Sequence, residues 1–325
     1  SYRRHSGHRR SIQTLYEQSA KKHSPALKVR SSARRRKKDT DISGGTALKN
    51  AMLLKAAINK MAKEKHIPAQ LVMQNYMLER LLERIAHSRY QGNFILKGGL
   101  LIASMVGLHS RATMDMDATI LNHPVNENSI KKMFEEIISI PIDDDITFSF
   151  QDVGEIRKND AYGGYRVSLT ANFLPMKVPL KLDITTGDKI TPKAVEYKYP
   201  MMFNDGTLEI FAYNLETILA EKLETVISRG DQNTRPRDFY DIFILSKLKG
   251  DQINWTILRQ AVSETAQKRN SGMLMPQYQS ILEQIVSSPV MQNHWTIYQR
   301  DYEYAREVDF SATCETILQL MDSIQ

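Results

Sequence analysis

The stretch Phe94–Leu121, FILKGGLLIASMVGLHSRATMDMDATIL, decides the fold. Phe94–Lys97 is short, apolar and β-prone, the pattern of a buried strand. Gly98 and Gly99 break it and open a helix to about Val106. Gly107–Ala112 reads as a turn and Thr113–Leu121 as a second strand. Along a strand, residues i and i+2 share a face. Asp115 and Asp117 therefore project together, with Met114 and Met116 expected in the core. Carboxylates this close repel unless something positive lies between them. A hard divalent cation, Mg2+ or Mn2+, meets that need, because it takes oxygen ligands from one or two carboxylates plus substrate phosphates.

Working outward, LKNAMLLKAAINKMAKEK (48–65) has helical spacing, and Pro68 stands where the first turn of a second helix, Ala69 to His87, tolerates it. Residues 126–139 form a further helix behind an Asn cap. Ile146–Ile156, Tyr165–Phe173 and Val178–Thr185 alternate and are rich in β-branched residues, so they read as strands. Tyr162-Gly163-Gly164 and Leu174-Pro175 punctuate them, and Leu208–Ala212 adds one more. After Asn214 the pattern is helical, over 215–229, 237–249, 254–268, 276–286, 290–302 and 311–323. The class is α+β: a mixed sheet flanked by helices, then a helical C-terminal half. The expected domains are 1–45, a basic arm or extension; 46–213, an α/β domain with N-terminal helices; and 214–325, a helical domain completing the active site.

The net charge of +7 conceals an asymmetry. Residues 1–45 hold 13 Lys/Arg against 3 Asp/Glu, whereas the other 280 hold 31 against 34. The N-terminal segment, with RSSARRRKK, lacks apolar periodicity and is expected to be disordered, as a nucleic-acid-binding arm or a solvated extension. Met52 is the first methionine that could begin the compact part. Apolar runs fall short of the roughly 18 residues of a membrane span, and no signal-peptide h-region opens the chain. Cys314 is the single cysteine, which excludes an internal disulfide and zinc–cysteine clusters. Together these point to the cytoplasm. The eight histidines lack metal spacing, and no Gly-x-Ser-x-Gly elbow supports a serine hydrolase. Asp143–Asp145 reads as a solvated turn, and Tyr76, Met77 and Leu81 as core.

Four other motifs bear on the acidic pair. Backbone N–H groups at Gly98-Gly99 open a helix and can approach phosphates, although a tight turn alone would also use glycine. In Lys181-Leu182-Asp183-Ile184, Asp183 can be a third carboxylate with Lys181 on the same face; the plainer reading is a strand-edge ion pair. LETILAEKLETVISR presents Lys222, either a point charge for a triphosphate or half of a surface pair. RPRDFYDIF crowds Arg235, Arg237, Asp238 and Asp241 at a helix start, with the two acids one turn apart; acids there also balance the helix dipole. The pattern of a P-loop is absent.

In this order, LKGGLL…RATMDMD, KLDITTGD, NLETILAEKLET and RPRDFYDI resemble the AbiEii/AbiGii abortive-infection toxins, which have a nucleotidyltransferase fold of the DNA polymerase β-like superfamily. The resemblance covers about residues 50–290. It implies a nucleotidyltransferase in a type IV-like toxin–antitoxin system of phage defence. It implies Gly98 and Gly99 at the triphosphate, Asp115, Asp117 and Asp183 as catalytic metal ligands, and Lys222 near the phosphates with Lys181 and Arg237. Asp238 becomes a base or positioning group. The expected substrates are a nucleoside triphosphate and an RNA acceptor, the tRNA 3′ end above all, so that translation is blocked. The expected partner is a winged-helix antitoxin from a neighbouring gene. Gly99 stands where the wider superfamily often has serine, so a hydroxyl contact is missing. The folded part lacks a strong positive field for RNA, leaving a local groove of Arg111, Arg235 and Arg237 to supply it. Two alternatives remain: a non-catalytic nucleic-acid-binding or regulatory module on the same fold, and transfer to a protein acceptor.

Overall fold

β1 (Phe94–Lys97) lies inside a seven-stranded mixed sheet of order β3-β4-β5-β2-β1-β7-β6. The computed structural model describes residues 50–156 and 163–325. The basic segment 1–45 and Tyr162 lie outside the described residues. The other strands are β2 (Met116–Ile120), β3 (Thr147–Ile156), β4 (Gly164–Phe173), β5 (Met176–Thr186), β6 (Val195–Pro200) and β7 (Thr207–Ala212). β1 pairs antiparallel with β2 and parallel with β7, and β2 pairs parallel with β5. This mixed sheet, with its helices, is the α+β architecture the sequence predicts.

Register sorts the two faces. Leu96, Ala118 and Ile184 stand level on three neighbouring strands, and all are fully buried. Helix α1 (Ala51–Lys65) packs on α2 (Ala69–Ala86), and α2 packs on β5 and β7. Val72, Tyr76, Met77, Leu81 and Leu82 of α2 are buried in that core, as expected of Tyr76, Met77 and Leu81. Pro68 caps α2 from outside its first turn. Helix α3 (Gly98–Val106) follows β1 without a linker. Helix α4 (Glu127–Ile138) starts in a capping box in which Asn126 Oδ1 accepts from Ser129 N and Ser129 Oγ accepts from Asn126 N.

Beyond β7 come α5 (Leu215–Arg229), α6 (Pro236–Lys249), α7 (Trp255–Lys268), α8 (Tyr278–Ser287), α9 (Pro289–Asp301) and α10 (Phe310–Ser323). Asn214 starts α5 by accepting from Thr217 N at 2.7 Å. The apolar core runs without a break from the sheet into these helices. Among the described residues no helix is long and apolar enough to cross a membrane.

Three sequence expectations are corrected. β2 begins at Met116, not Thr113, and Met114 is 39% exposed rather than core. Side chains of α2 intercept the approach: Asn75 donates to Thr113 O at 2.8 Å and Gln74 to Met114 O at 3.1 Å, so no neighbouring strand claims these carbonyls. Asp143–Asp145 is a turn with Asp143 and Asp145 exposed, but its middle acid is not solvated. Asp144 is fully buried, accepts two hydrogen bonds from Arg84 (2.8 and 2.9 Å) and takes a third from Ile146 N. Its partner lies on α2, beyond the reach of local composition. Finally, β6 was unforeseen. Among the described residues it pairs only with β7, and it ends in Pro200, which an edge strand accommodates.

Candidate active site

The face opposite the apolar one carries a row of charge. Lys97 on β1 stands level with Asp117 on β2, Asp117 with Asp183 on β5, and Asp183 with Arg166 on β4. Directly paired residues share a face, so two carboxylates lie between two cations. Arg166 donates to both oxygens of Asp183, at 2.7 and 2.8 Å. Lys97 turns toward Asp188, with which it forms an ion pair, and donates to Thr185 Oγ1 at 2.7 Å. Asp115 enters β2 one pleat before Asp117. Burial raises its pKa, and the charges of Asp117 and Asp183 raise it further against Arg166 and Lys181.

The glycines bring α3 against this row. Gly98 has φ +68°, a conformation side chains rarely adopt, and a Cβ there would overlap the Asp117 carboxylate and lie 2.7 Å from Asp117 Cβ. At Gly99 a Cβ would stand 2.7 Å from Thr113 Oγ1. The space a serine side chain would need at position 99 is therefore held by the hydroxyl of Thr113.

The opposite wall belongs to the C-terminal helices. Lys222 of α5 sits between Asp238 (2.8 Å) and Asp241 (2.7 Å) of α6. Asp241 is fully buried and also accepts from Arg111. Burial pulls the Lys222 pKa down, but the two carboxylates outweigh it and hold the ammonium charged. Arg111 and Lys222 against Asp238 and Asp241 make a neutral quartet. Arg111 is thereby buried and paired, so it is not the free RNA-binding cation expected from the sequence.

Between the walls lies a cleft of about 940 Å³. Gly98, Gly99, Asp115, Asp117, Asp183, Lys222, Arg237 and Asp238, eight residues singled out from sequence, all line it. Lys181 does not. It lines a separate hollow of about 370 Å³, which shares Met114 and Asp115 with the cleft. Sequence reading passed over Lys97, Arg166 and Asp188, although Lys97 and Asp188 sit inside the quoted motifs LKGG and ITTGD. Arg166 gave no signal, because only strand register places it beside Asp183.

Asp115 and Asp117 fit a hard cation on the chemistry of their donors: paired carboxylate oxygens, one with its pKa raised by burial and then by the neighbouring acids. Asp183 is committed to Arg166, and among the described residues no three acidic, His or Cys side chains already converge on one point.

A family model for the nucleotidyl transferase AbiEii toxin, type IV toxin–antitoxin system, matches residues 80–318. The chain belongs to that family. An AbiEii chain is a nucleotidyltransferase, the toxin half of a toxin–antitoxin pair. Two solved structures from Helicobacter pylori are similar to it, each 17% identical. JHP933 has a TM-score of 0.45 and is covered over 79% of this chain and 90% of its own. A candidate nucleotidyltransferase has a TM-score of 0.44 and is covered over 80% and 95%. No curated protein matches the chain.

Proposed function

We propose that this AbiEii chain transfers a nucleotidyl group from a nucleoside triphosphate to an RNA, at the tRNA 3′ end, with Mg2+ or Mn2+ as cofactor. The acceptor hydroxyl gives its proton to water as its oxygen bonds to the α-phosphorus, the bond from that phosphorus to the α–β bridging oxygen breaks, and pyrophosphate leaves with the electron pair. Such a toxin stops translation, and its partner is an antitoxin of winged-helix type encoded nearby. The observation that carries the reading is the meeting of the glycine turn, Asp115, Asp117 and Lys222 in one cleft.

Nucleotidyl transfer asks a protein for positioning and charge neutralisation. A divalent cation held by Asp115 and Asp117 would neutralise phosphate oxygens. Gly98 and Gly99, which open α3, line the same cleft, and the unpaired N–H groups of a helix start suit an anion. Lys222 offers a fixed ammonium to the triphosphate. Asp238 serves as its positioning partner rather than as a base, since its carboxylate already accepts from Lys222. Arg166 orients Asp183 beside Asp115. Arg237, at the cleft wall, adds positive charge for the nucleotide or acceptor.

Label transfer tests this. Purified protein with Mg2+, total tRNA and each α-labelled nucleoside triphosphate in turn should label RNA, and Asp115→Asn should not. Labelled protein in place of RNA would move the acceptor to a polypeptide. Labelling unaffected by Asp115→Asn would end the assignment of the metal pair.

A further inference from the structure

At one corner of the cleft Tyr298, Tyr302 and Tyr304 line it together as an aromatic cluster. Tyr298 is 5% exposed and Tyr302 40%. The Tyr302 ring lies 4.7 Å from that of Tyr298 and 5.4 Å from that of Tyr304. Those two rings are themselves braced. Tyr298 packs on Trp295 at 5.6 Å, Tyr304 on Tyr240 at 4.8 Å, and the Tyr298 and Tyr304 hydroxyls hydrogen-bond at 3.1 Å. Tyr302 is thus an open ring on a rigid aromatic base, tied down further by its own N–H bond to Tyr298 O at 2.9 Å.

Its place in the cleft indicates what it meets. Tyr240 donates to Ser110 O at 2.7 Å, which fixes the aromatic corner beside Arg111. Arg111 Nη2 would in turn lie 3.5 Å from a Cβ on Gly99. The tyrosines therefore adjoin the glycine turn. The hollow shared by Met114 and Asp115 opens elsewhere, toward Lys177 and Lys181. With the phosphates on Gly98-Gly99, the tyrosine cluster would offer a surface for the base in the same cleft, and the second hollow would remain open to an acceptor reaching Asp115.

We propose that Tyr302, braced by Tyr298 and Tyr304, is the platform on which the base of the incoming nucleoside triphosphate stacks. This rests on the nucleotidyl-transfer reading above. Stacking on an aromatic face accepts every base, so the platform supplies affinity and leaves base choice to hydrogen-bonding groups elsewhere.

Calorimetric titration with UTP, CTP, ATP, GTP and inorganic tripolyphosphate, each with Mg2+, tests the platform in the whole protein. Tyr302→Ala should weaken the nucleotides about tenfold or more and leave tripolyphosphate unchanged, and Tyr302→Phe should bind like the wild type. Unchanged nucleotide binding in Tyr302→Ala would overturn the proposal. So would an equal loss for tripolyphosphate, which would mark a structural role. Unchanged nucleotide binding with a raised KM for tRNA would assign the ring to the acceptor instead. A wild-type protein that binds tripolyphosphate but no nucleotide would also overturn it, and one that binds neither would end the nucleotidyl-transfer reading itself.

Discussion

Replacing Asp241 by Asn probes the quartet that holds Lys222. The substitution keeps the side chain's shape and removes one charge. Arg111 and Lys222 are then opposed only by Asp238, and a net positive charge is left in a site where Asp241 itself has no exposure. Removing one partner of a buried ion pair costs about 3–5 kcal/mol, chiefly because the other charge stays buried. At roughly 2–4 °C per kcal/mol for a chain of this size, melting should fall by about 10 °C. Thermal and urea unfolding of Asp241→Asn measure the loss. The double variant Arg111→Met/Asp241→Asn restores neutrality and should recover about 2 kcal/mol or more relative to additivity. Acid sharpens the test. Burial raises the Asp241 pKa, but Arg111 and Lys222 bring it below the ordinary value of 3.8. Its stabilisation is therefore present above that value and fades as pH falls below it, so variant and wild type should converge in acid. Purely additive effects in the double variant, or a loss under 1 kcal/mol, would refute the charge-balance reasoning.

Other substitutions test other parts of the site. Gly98→Ala should abolish transfer and lower stability by about 1–2 kcal/mol, since it combines a left-handed residue with displacement of Asp117; unfolding curves and label transfer read both. Gly99→Ser should weaken triphosphate binding by colliding with the Thr113 hydroxyl, and Thr113→Ala beside it should restore binding in the same titration. Asp188 offers a second acid window. Burial raises its pKa, but the Lys97 ammonium and the bonds from Lys97 and Thr185 bring it from 3.8 to about 2. About 2 kcal/mol should thus be lost between those pH values, and Asp188→Asn should not show that loss in urea unfolding against pH.

Much of the site was legible because its spacing is local. The glycine break at Gly98-Gly99, the alternation of Asp115 and Asp117, and the helical phase of Asp238 and Asp241 each lie within a few residues. The strand–helix junction Phe94–Val106 follows from that pattern alone. What escaped depends on partners far along the chain. Asp144 looked solvated because Arg84 lies 60 residues upstream. Arg111 looked available to RNA because Asp241 lies 130 residues downstream. Met114 kept the strand's alternation, yet Gln74 and Asn75 had already taken the backbone that would have made it a strand.

The cleft also has an order in time. Lys97 and the carboxylate row come from the first part of the chain, Lys222 and Asp238 from well beyond it, and the tyrosine corner from near residue 300. Even β1 has to wait for β7, its parallel neighbour, more than a hundred residues later. Domains fold as the chain emerges from its N-terminus. A ribosome that has finished the acidic row has not yet made the lysine or the tyrosines opposite it. The chain thus cannot assemble the whole cleft until most of its length has been translated.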